Sequence, residues 1–557
     1  MDRKKNTENM NEKFNEFFYE AFESNTYKMG KRPWWQILII TIIVMFLFFF
    51  FTLPSLNPQS FDFYKTVILG IIVYWVLYAI FGKQLKSSKS IKASIITIVL
   101  LIAIPFFGTL IASPFFFSKQ YADLIKINNS DFAKDVEQVS LNQVPVVDRE
   151  AARVIGEKQM GSMGELVSQF NVADKYSQVN IAGKPIRVSP LEYYDLIKYF
   201  TNNKDGIQHY VSVDMTTQDG NLAKLDEPIY YSESDILFRD LNRHIRFQFP
   251  FSILGESNFE IDDNGKAWYV TPVLHKPIFF FGGLDAKGAI ITDANTGKST
   301  YYKRDEVPTW VDRVNPAEVI ISQLNSYGKY NRGFWNSVFS QKNVTSTTEG
   351  YNYISLGEDI YLTTGVTSVR SDESNLGFYY VNLRTKEAKF YPVPSATETA
   401  AMKSARGKVQ EKNYEPTFPV ILNLGGRPVY FMSLKDQSLT AKMFALVDAE
   451  QFTDVIVGDN VQETISKYFD INPEVSSESN VFEDETITVD KISEVVVNGN
   501  TIYYLSVKEN NNIYVIVPDE LDNRVHFIQA NDKLKIQSSI QVEKDGFKQF
   551  KIVKIEY

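Results

Sequence analysis

Three long runs without a charged residue open this chain, and they constrain it more than any other feature. They are "ILIITIIVMFLFFFFTL" at 37–53, "TVILGIIVYWVLYAIFG" at 66–82 and "ASIITIVLLIAIPFFGTLIASPFFF" at 93–117. A helix needs ~20 apolar residues to cross a bilayer core, whereas a helix in a soluble core normally keeps a polar stripe. Residues 34–117 are therefore expected to form three transmembrane helices, with Trp34 and Trp35 at the headgroup interface. Two further spans follow the first, which argues against a cleaved signal peptide. Pro105 and Pro114 are expected to kink the third run or end it early.

Lysine and arginine fix the expected orientation. Arg3, Lys4, Lys5, Lys13, Lys28, Lys31 and Arg32 precede the first run, and Lys83, Lys86, Lys89 and Lys92 separate the second from the third. Only Lys65 lies between the first two. The N-terminus is thus expected in the cytoplasm, and everything after the third run outside the membrane. No Asp, Glu, Lys, Arg or His interrupts the runs, as an ion or proton pathway would require, so they read as an anchor or as a docking surface for another membrane protein. Gly70, Gly108 and Ala112 are small enough for close helix approach. Residues 1–33 form a leader in which Met10, Phe14, Phe17, Phe18 and Phe22 share one helical face, the pattern of a cytoplasmic interfacial helix.

The remaining chain carries 46 Lys/Arg against 60 Asp/Glu over residues 118–557, a net charge of −14. Such a surface disfavours nucleic acid. Cysteine is absent, which excludes disulfides, thiol nucleophiles and thiolate metal sites. "TDANTGKST" at 292–300 ends like a phosphate-binding loop, but Thr292 stands where the first glycine of G-x-x-x-x-G-K-[ST] belongs. Its flanks are β-branched and aromatic, so it reads as a turn between two strands, and no nucleotide is expected.

That turn recurs. "GAIITDANTGKSTYY" at 288–302 aligns without gaps on "GFYYVNLRTKEAKFY" at 377–391, matching Gly288 with Gly377, Asp293 with Asn382, Thr296 with Thr385 and Tyr302 with Tyr391. A weaker copy begins in "MFALVDAEQF" at 443–452. Hairpin patterns precede each copy, "DDNGKAWYV", "LGEDIYLTTGV" and "NLGGRPVYFMSL", and helical patterns separate them at 315–327, 395–412 and 460–469. A unit of helix, hairpin, strand, turn and strand is expected about three times over 259–472, each a small antiparallel sheet with one apolar face covered by its helix. Ahead of it, 118–258 is expected to be a first α+β region, with a helix over 148–160 and strand-and-turn material such as "VNIAGKPIRVSPL" at 179–191.

A helix, a hairpin and a closing "DANTGK"-type turn resemble the PepSY domain, a small α/β module found outside the bacterial membrane. The resemblance covers pieces of 148–470 and implies a binding or regulatory role, typically toward extracytoplasmic peptidases. It supplies no catalytic residues.

Residues 473–485, acidic and serine-rich, read as a linker. Five strand patterns follow in 486–557, with hairpin turns at Asn498-Gly499 and Asp545-Gly546. They suggest a small five-stranded barrel of OB or SH3 type, better suited to docking a partner than to binding oligonucleotides.

Catalytic patterns are scarce. His209, His244, His275 and His526 form no metal-binding spacing. "QMGSMGE" at 159–165 has Met160 where a serine elbow needs glycine. Acidic clusters such as Ser371-Asp372-Glu373 and Glu483-Asp484-Glu485 read as solvated surface, although paired carboxylates could hydrolyse glycosides. "GFWNSVFSQKN" at 333–343 brings Phe334, Trp335 and Phe339 together, either as core packing or as a contact for a partner. The expectation is a membrane-anchored extracytoplasmic binding or scaffold protein of the bacterial envelope. It is neither an enzyme nor a cofactor protein, and its partners are the lipid bilayer and another envelope or membrane protein. The competing readings are a carboxylate-based envelope hydrolase and an accessory subunit of a secretion or transport complex.

Overall fold

The computed structural model describes residues 32–82, 88–136, 144–181, 183–369, 374–471, 483–497, 500–510, 512–517, 525, 527–544 and 547–556. The leader before Arg32, the linker through 482, the Ser371-Asp372-Glu373 cluster, His526 and the turns at Asn498-Gly499 and Asp545-Gly546 lie outside the described residues. The chain divides into two compact units. One runs to Ile111 and includes Phe249–Ser252, and the other comprises Ala112–Gln248 and Ile253 onward.

Among the described residues of the first unit, three helices are long and apolar enough to cross a membrane, Trp34–Thr52, Phe61–Phe81 and Lys89–Ile111. The first two are joined by a tight link. Leu53 caps its helix in the left-handed region at φ 50°, and the Ser60 hydroxyl accepts from Asp62 N–H to start the next. Ser55 and Asn57 in that link donate to the carbonyls of Ser252 and Phe251 at 3.0 and 2.8 Å. Pro105 sits inside the third helix without ending it. The third run is nevertheless not one helix. It stops at Ile111, and Pro114 starts a separate helix, Pro114–Ala122. Proline there sacrifices no hydrogen bond, since the first N–H groups of a helix have no intrahelical partner.

Four antiparallel sheets build most of the second unit, and all four follow one strand order. A short edge strand in two pieces pairs with a long central strand, which pairs with a second long strand and then a last one. The long pairs are Lys184–Tyr193 with Ile207–Asp214, Ala267–His275 with Asp285–Asp293, Asp359–Ser368 with Ser374–Asn382, and Arg427–Lys435 with Ala441–Asp448. The edge strand is interrupted at the same place each time. One N–H of the interrupted stretch bonds the central strand, from Ala173 to Pro190, Gly255 to Pro272, Thr348 to Gly365 and Thr417 to Ser433. In the third sheet the chain after Ala122 adds Ile127–Asn129, parallel to Ala388–Tyr391.

The second long strand of every sheet ends in the same turn. Asp214, Asp293, Asn382 and Asp448 each accept two N–H bonds at Oδ1, from the residues two and three positions on, at 2.8–3.1 Å. These are Asx turns, in which a short polar side chain replaces a backbone carbonyl. Gln218, Gly297 and Lys386 occupy the left-handed position of the first three, at φ 66°, 72° and 68°. The sheet of Asp214 lies in what reads from sequence as a separate first region. The expected boundary at 258/259 also cuts through the second sheet, whose first strand is Ile253–Leu254.

The expected helices form at Arg149–Ser162, Ala317–Tyr330, Glu398–Lys408 and Val461–Ile471. Asp148 and Thr397 cap the first and third by accepting from Ala151 and Ala400 N–H. Ala317–Tyr330 buries Ile320 and Leu324 with Ile360, Leu362, Tyr379 and Val381 of the third sheet. The sheets depart from the expected single apolar face. Even an edge piece such as Val420–Leu424 is buried at every residue, because neighbouring sheets cover the second face. Tyr210 of the first sheet meets Phe259 of the second, and Phe378 of the third meets Tyr430 of the fourth. Such strands read as continuous apolar runs instead of an alternation.

The C-terminal strands close into a five-stranded barrel. In chain order they pair first–second–third–fifth–fourth, the fourth returning to the first. The third and fifth are parallel. Glu483–Val497 opens the barrel, three residues before the expected start, and Ile487, Leu505, Tyr514, Ile536 and Phe550 fill it.

Candidate functional site

A cleft of about 520 Å³ opens where the first three sheets converge, within the size range of small-ligand sites. One wall is the interrupted edge strand of the second sheet, Gly255–Asn258. Another is the start of the Ala317–Tyr330 helix, and Arg149, Lys175 and Tyr176 complete it. The interruption makes the opening: between Leu254 and Asn258 the edge strand leaves its neighbour except for the Gly255 N–H bond and a Ser257–Thr271 hydroxyl pair at 2.7 Å.

The lining is polar and mixed in charge. Arg313 stacks its guanidinium 4.3 Å from the Tyr353 ring centre, and its Nε is buried without an acceptor. Asn315 is 2% exposed and donates to the carbonyls of Leu383 and Arg384, leaving Oδ1 unpartnered. Arg149 and Lys175 are held by Asp174 O and Glu233. Glu256 and Glu318 add two carboxylates. Pro316 supplies no side-chain cap to the helix that begins behind it, so the positive end of that dipole is offered to the cleft.

Next to the lining residues Asn258 and Arg313 lies a buried acidic pair. Asp312 N–H donates to Glu260 Oε2 at 3.0 Å, and Asn180 N–H donates to Asp312 Oδ2 at 2.8 Å. Burial pushes both carboxyls up, Glu260 to about 7; the Glu260 charge adds to the rise at Asp312, and Arg313 pulls against both. Nearby Arg187 is fully enclosed, donates to Val147 O, and is lowered to about 10 by burial and by Arg313.

The aromatic loop singled out in the sequence lies elsewhere. Phe334 is half-buried, but Trp335 and Phe339 are 60% and 73% exposed and stack on each other at 5.6 Å. Core packing thus accounts for Phe334 alone. None of the three lines the cleft. Sequence reasoning missed Arg149, Arg313, Asn315 and Tyr353. Their only signal was an Asp-Arg pair at or shortly ahead of the start of two helices, Asp148-Arg149 and Asp312-Arg313. Among the described residues no group of three or more His, Asp or Glu is placed to hold a metal ion.

No protein-family model matches the chain, and no curated protein matches its sequence. Among solved structures it is similar to a Trypanosoma rangeli sialidase in complex with 2,3-difluorosialic acid, at 8% identity and a TM-score of 0.17. That alignment covers 69% of this chain and about half of the sialidase, 53%. A likeness so distant carries no argument about fold or activity.

Proposed function

We propose that this protein is a membrane-anchored, extracytoplasmic binding protein of the bacterial envelope that captures a carboxylate-bearing peptide segment in the cleft between its sheets. The observation that carries the reading is Arg313: a guanidinium placed over the Tyr353 ring, with its Nε unsatisfied, beside the uncapped start of a helix. A planar fork in that setting suits a carboxylate. Asn315 Oδ1 supplies an acceptor for a peptide N–H, and the interrupted edge strand leaves room for an extended chain. The recurring sheet with its Asx turn supports a duplicated, PepSY-like unit, used here four times, and a role in regulating a peptidase is the sharper form of this proposal. The barrel's strand order fits an OB-type partner-docking module.

The test is direct titration of the full-length protein, in detergent, with fluorescent peptides ending in a free carboxylate or in an amide. Tighter binding of the free acid, weakened at least tenfold by Arg313→Ala, supports the reading. Equal binding of both peptides, unaffected by that change, overturns it. Glu256 and Glu318 in the same cleft favour a second reading, a carboxylate-based hydrolase. That reading requires turnover of a peptidoglycan or glycan substrate that Glu256→Gln and Glu318→Gln each abolish.

A further inference from the structure

The exposed aromatic loop belongs to a larger surface. Phe115 packs edge-on against Phe334 and Trp335, at 5.2 and 5.6 Å. Phe117 stacks on Phe279 at 5.8 Å. Tyr121 ties the same elements together, accepting from Gly283 N–H and donating to Ala112 O. Three segments, 112–122, 276–284 and 328–344, are therefore joined in one surface of the second unit. From it project Phe115, Phe116, Phe279, Phe280, Trp335 and Phe339, each between 48% and 73% exposed. Phe279 and Phe280 are held in the left-handed region, at φ 42° and 68°, an uncommon and costly state for bulky residues. Soluble proteins rarely display so many large rings together without a use for them.

Charge and connectivity identify what covers this surface. The three segments contain Lys119, Lys276, Lys329, Arg332 and Lys342 and not one Asp or Glu, on a chain whose region beyond 117 is strongly acidic. Phe115 follows the last residue of the third apolar helix, Ile111, by four residues, and four residues of chain reach at most ~14 Å. The helix that carries Phe115 is packed on Ala317–Tyr330, so the plate cannot swing far from the end of that span. Aromatic rings flanked by cations, held within reach of a bilayer, match the headgroup layer of an anionic membrane.

We propose that this aromatic and basic plate inserts into the surface of an anionic bilayer, seating the body of the protein on the membrane that its helices cross. The chain lacks cysteine, so Phe339→Cys labelled with an environment-sensitive nitrobenzoxadiazole probe reports the loop alone. The full-length variant is placed in nanodiscs of phosphatidylglycerol and phosphatidylcholine, or of phosphatidylcholine alone, each with a spin-labelled lipid as quencher. Exposed Lys403→Cys serves as a body control. The expected result is a blue-shifted emission, quenched at least twofold more at 339 than at 403, and weaker without the anionic lipid. Arg332→Glu with Lys342→Glu should remove that lipid dependence. Phe280→Cys gives the same reading from a second loop should the first label disturb the stack. Quenching at 339 and 280 no greater than at 403 in both lipids overturns the proposal. So does a probe shielded in native membranes but unquenched in nanodiscs, which would assign the plate to a protein partner.

Discussion

Lys386 Nζ lies 2.5 Å from Asp285 Oδ1, and both side chains are largely enclosed. Lys386 occupies the left-handed position of the third sheet's closing turn, while Asp285 begins a long strand of the second. Lys386 also donates to Leu124 O, and Asp285 accepts from Gln323 Nε2 and pairs with Arg304. One ion pair thus joins two sheets, the helix between them and the chain leaving Pro114–Ala122. Burial works upward on the Asp285 carboxyl, but the hydrogen bond and charge of Lys386 outweigh it and hold the group below its ordinary value. Removing one partner strands the other, at ~3–5 kcal/mol for a buried pair. Asp285→Asn and Lys386→Met should each lower the thermal midpoint by several degrees, and the double change should cost less than their sum. Because the folded Asp285 binds its proton less readily than the unfolded one, its contribution is full above the unfolded value and fades as pH falls through the folded one. A midpoint series toward acid pH should show that slope in the native protein and lose it in Asp285→Asn.

Gly288 and Gly377 stand at equivalent points of the second and third sheets, and each faces a carbonyl across the ladder. A Cβ added to Gly288 would sit 2.1 Å from Tyr302 O, and one added to Gly377 would sit 2.1 Å from Tyr391 O. Both contacts are with backbone, which cannot swing aside. Alanine at either position should destabilise by ~1–3 kcal/mol, as overpacking does, measurable as a lower urea midpoint of intrinsic fluorescence. Gly164→Ala, where a Cβ meets nothing within 4 Å, should leave the midpoint in place.

The acidic pair Glu260 and Asp312 predicts the opposite pH trend from Asp285. Both carboxyls are raised, Glu260 to about 7, so the folded protein holds protons that the unfolded chain releases. Stability should therefore fall as pH rises from the ordinary carboxylate range through about 7, and level off above it. Glu260→Gln keeps an oxygen for Asp312 N–H and cannot ionise. It should flatten the profile between pH 5 and 8 and raise the midpoint at pH 8; an unchanged profile would discard the raised Glu260 carboxyl as its cause.

Much of this architecture was legible in the residues, for reasons that differ between elements. Uncharged runs and their flanking lysines marked the spans, since few alternatives tolerate so many apolar residues in line. The match of Gly288 to Gly377 and Tyr302 to Tyr391 was visible because one steric demand fixes both pairs. The first sheet was expected as strand-and-turn material, but its kinship to the other three was not, although "VNIAGKPIRVSPL" carries the hairpin and the Ser189-Pro190 step that answers Thr271-Pro272. Its turn, "DMTTQDG", has no glycine at the left-handed position, where Gln218 stands instead, and a search built on "DANTGK" passes over it. The split of the third run at Ile111 was only half visible, because proline ends a helix or starts one with equal ease. The cleft was not legible at all. Arg149, Arg313 and Tyr353 are distant in sequence, and each looks like an ordinary surface residue until the sheets converge.

Topology is the remaining expectation with the widest consequences, and the lysine and arginine distribution alone carries it. Seven basic residues precede Trp34 and four lie between the second and third apolar runs, against Lys65 alone between the first two. The body of the protein should accordingly face away from the cytoplasm. Since no native thiol competes, Ser476→Cys in the acidic linker provides a unique reporter. A membrane-impermeant maleimide should label it in intact cells as fully as in lysed ones, and Lys5→Cys in the leader should label only after lysis. Both sites will obey this pattern together if charge sets the orientation, because three spans put the two ends on opposite sides. Label at 476 appearing only on lysis would invert the topology and move any peptide captured by the Arg313 cleft into the cytoplasm. The proposed seating of the aromatic plate on a bilayer rests on the short chain step between Ile111 and Phe115, and the direction in which the helices cross does not enter it.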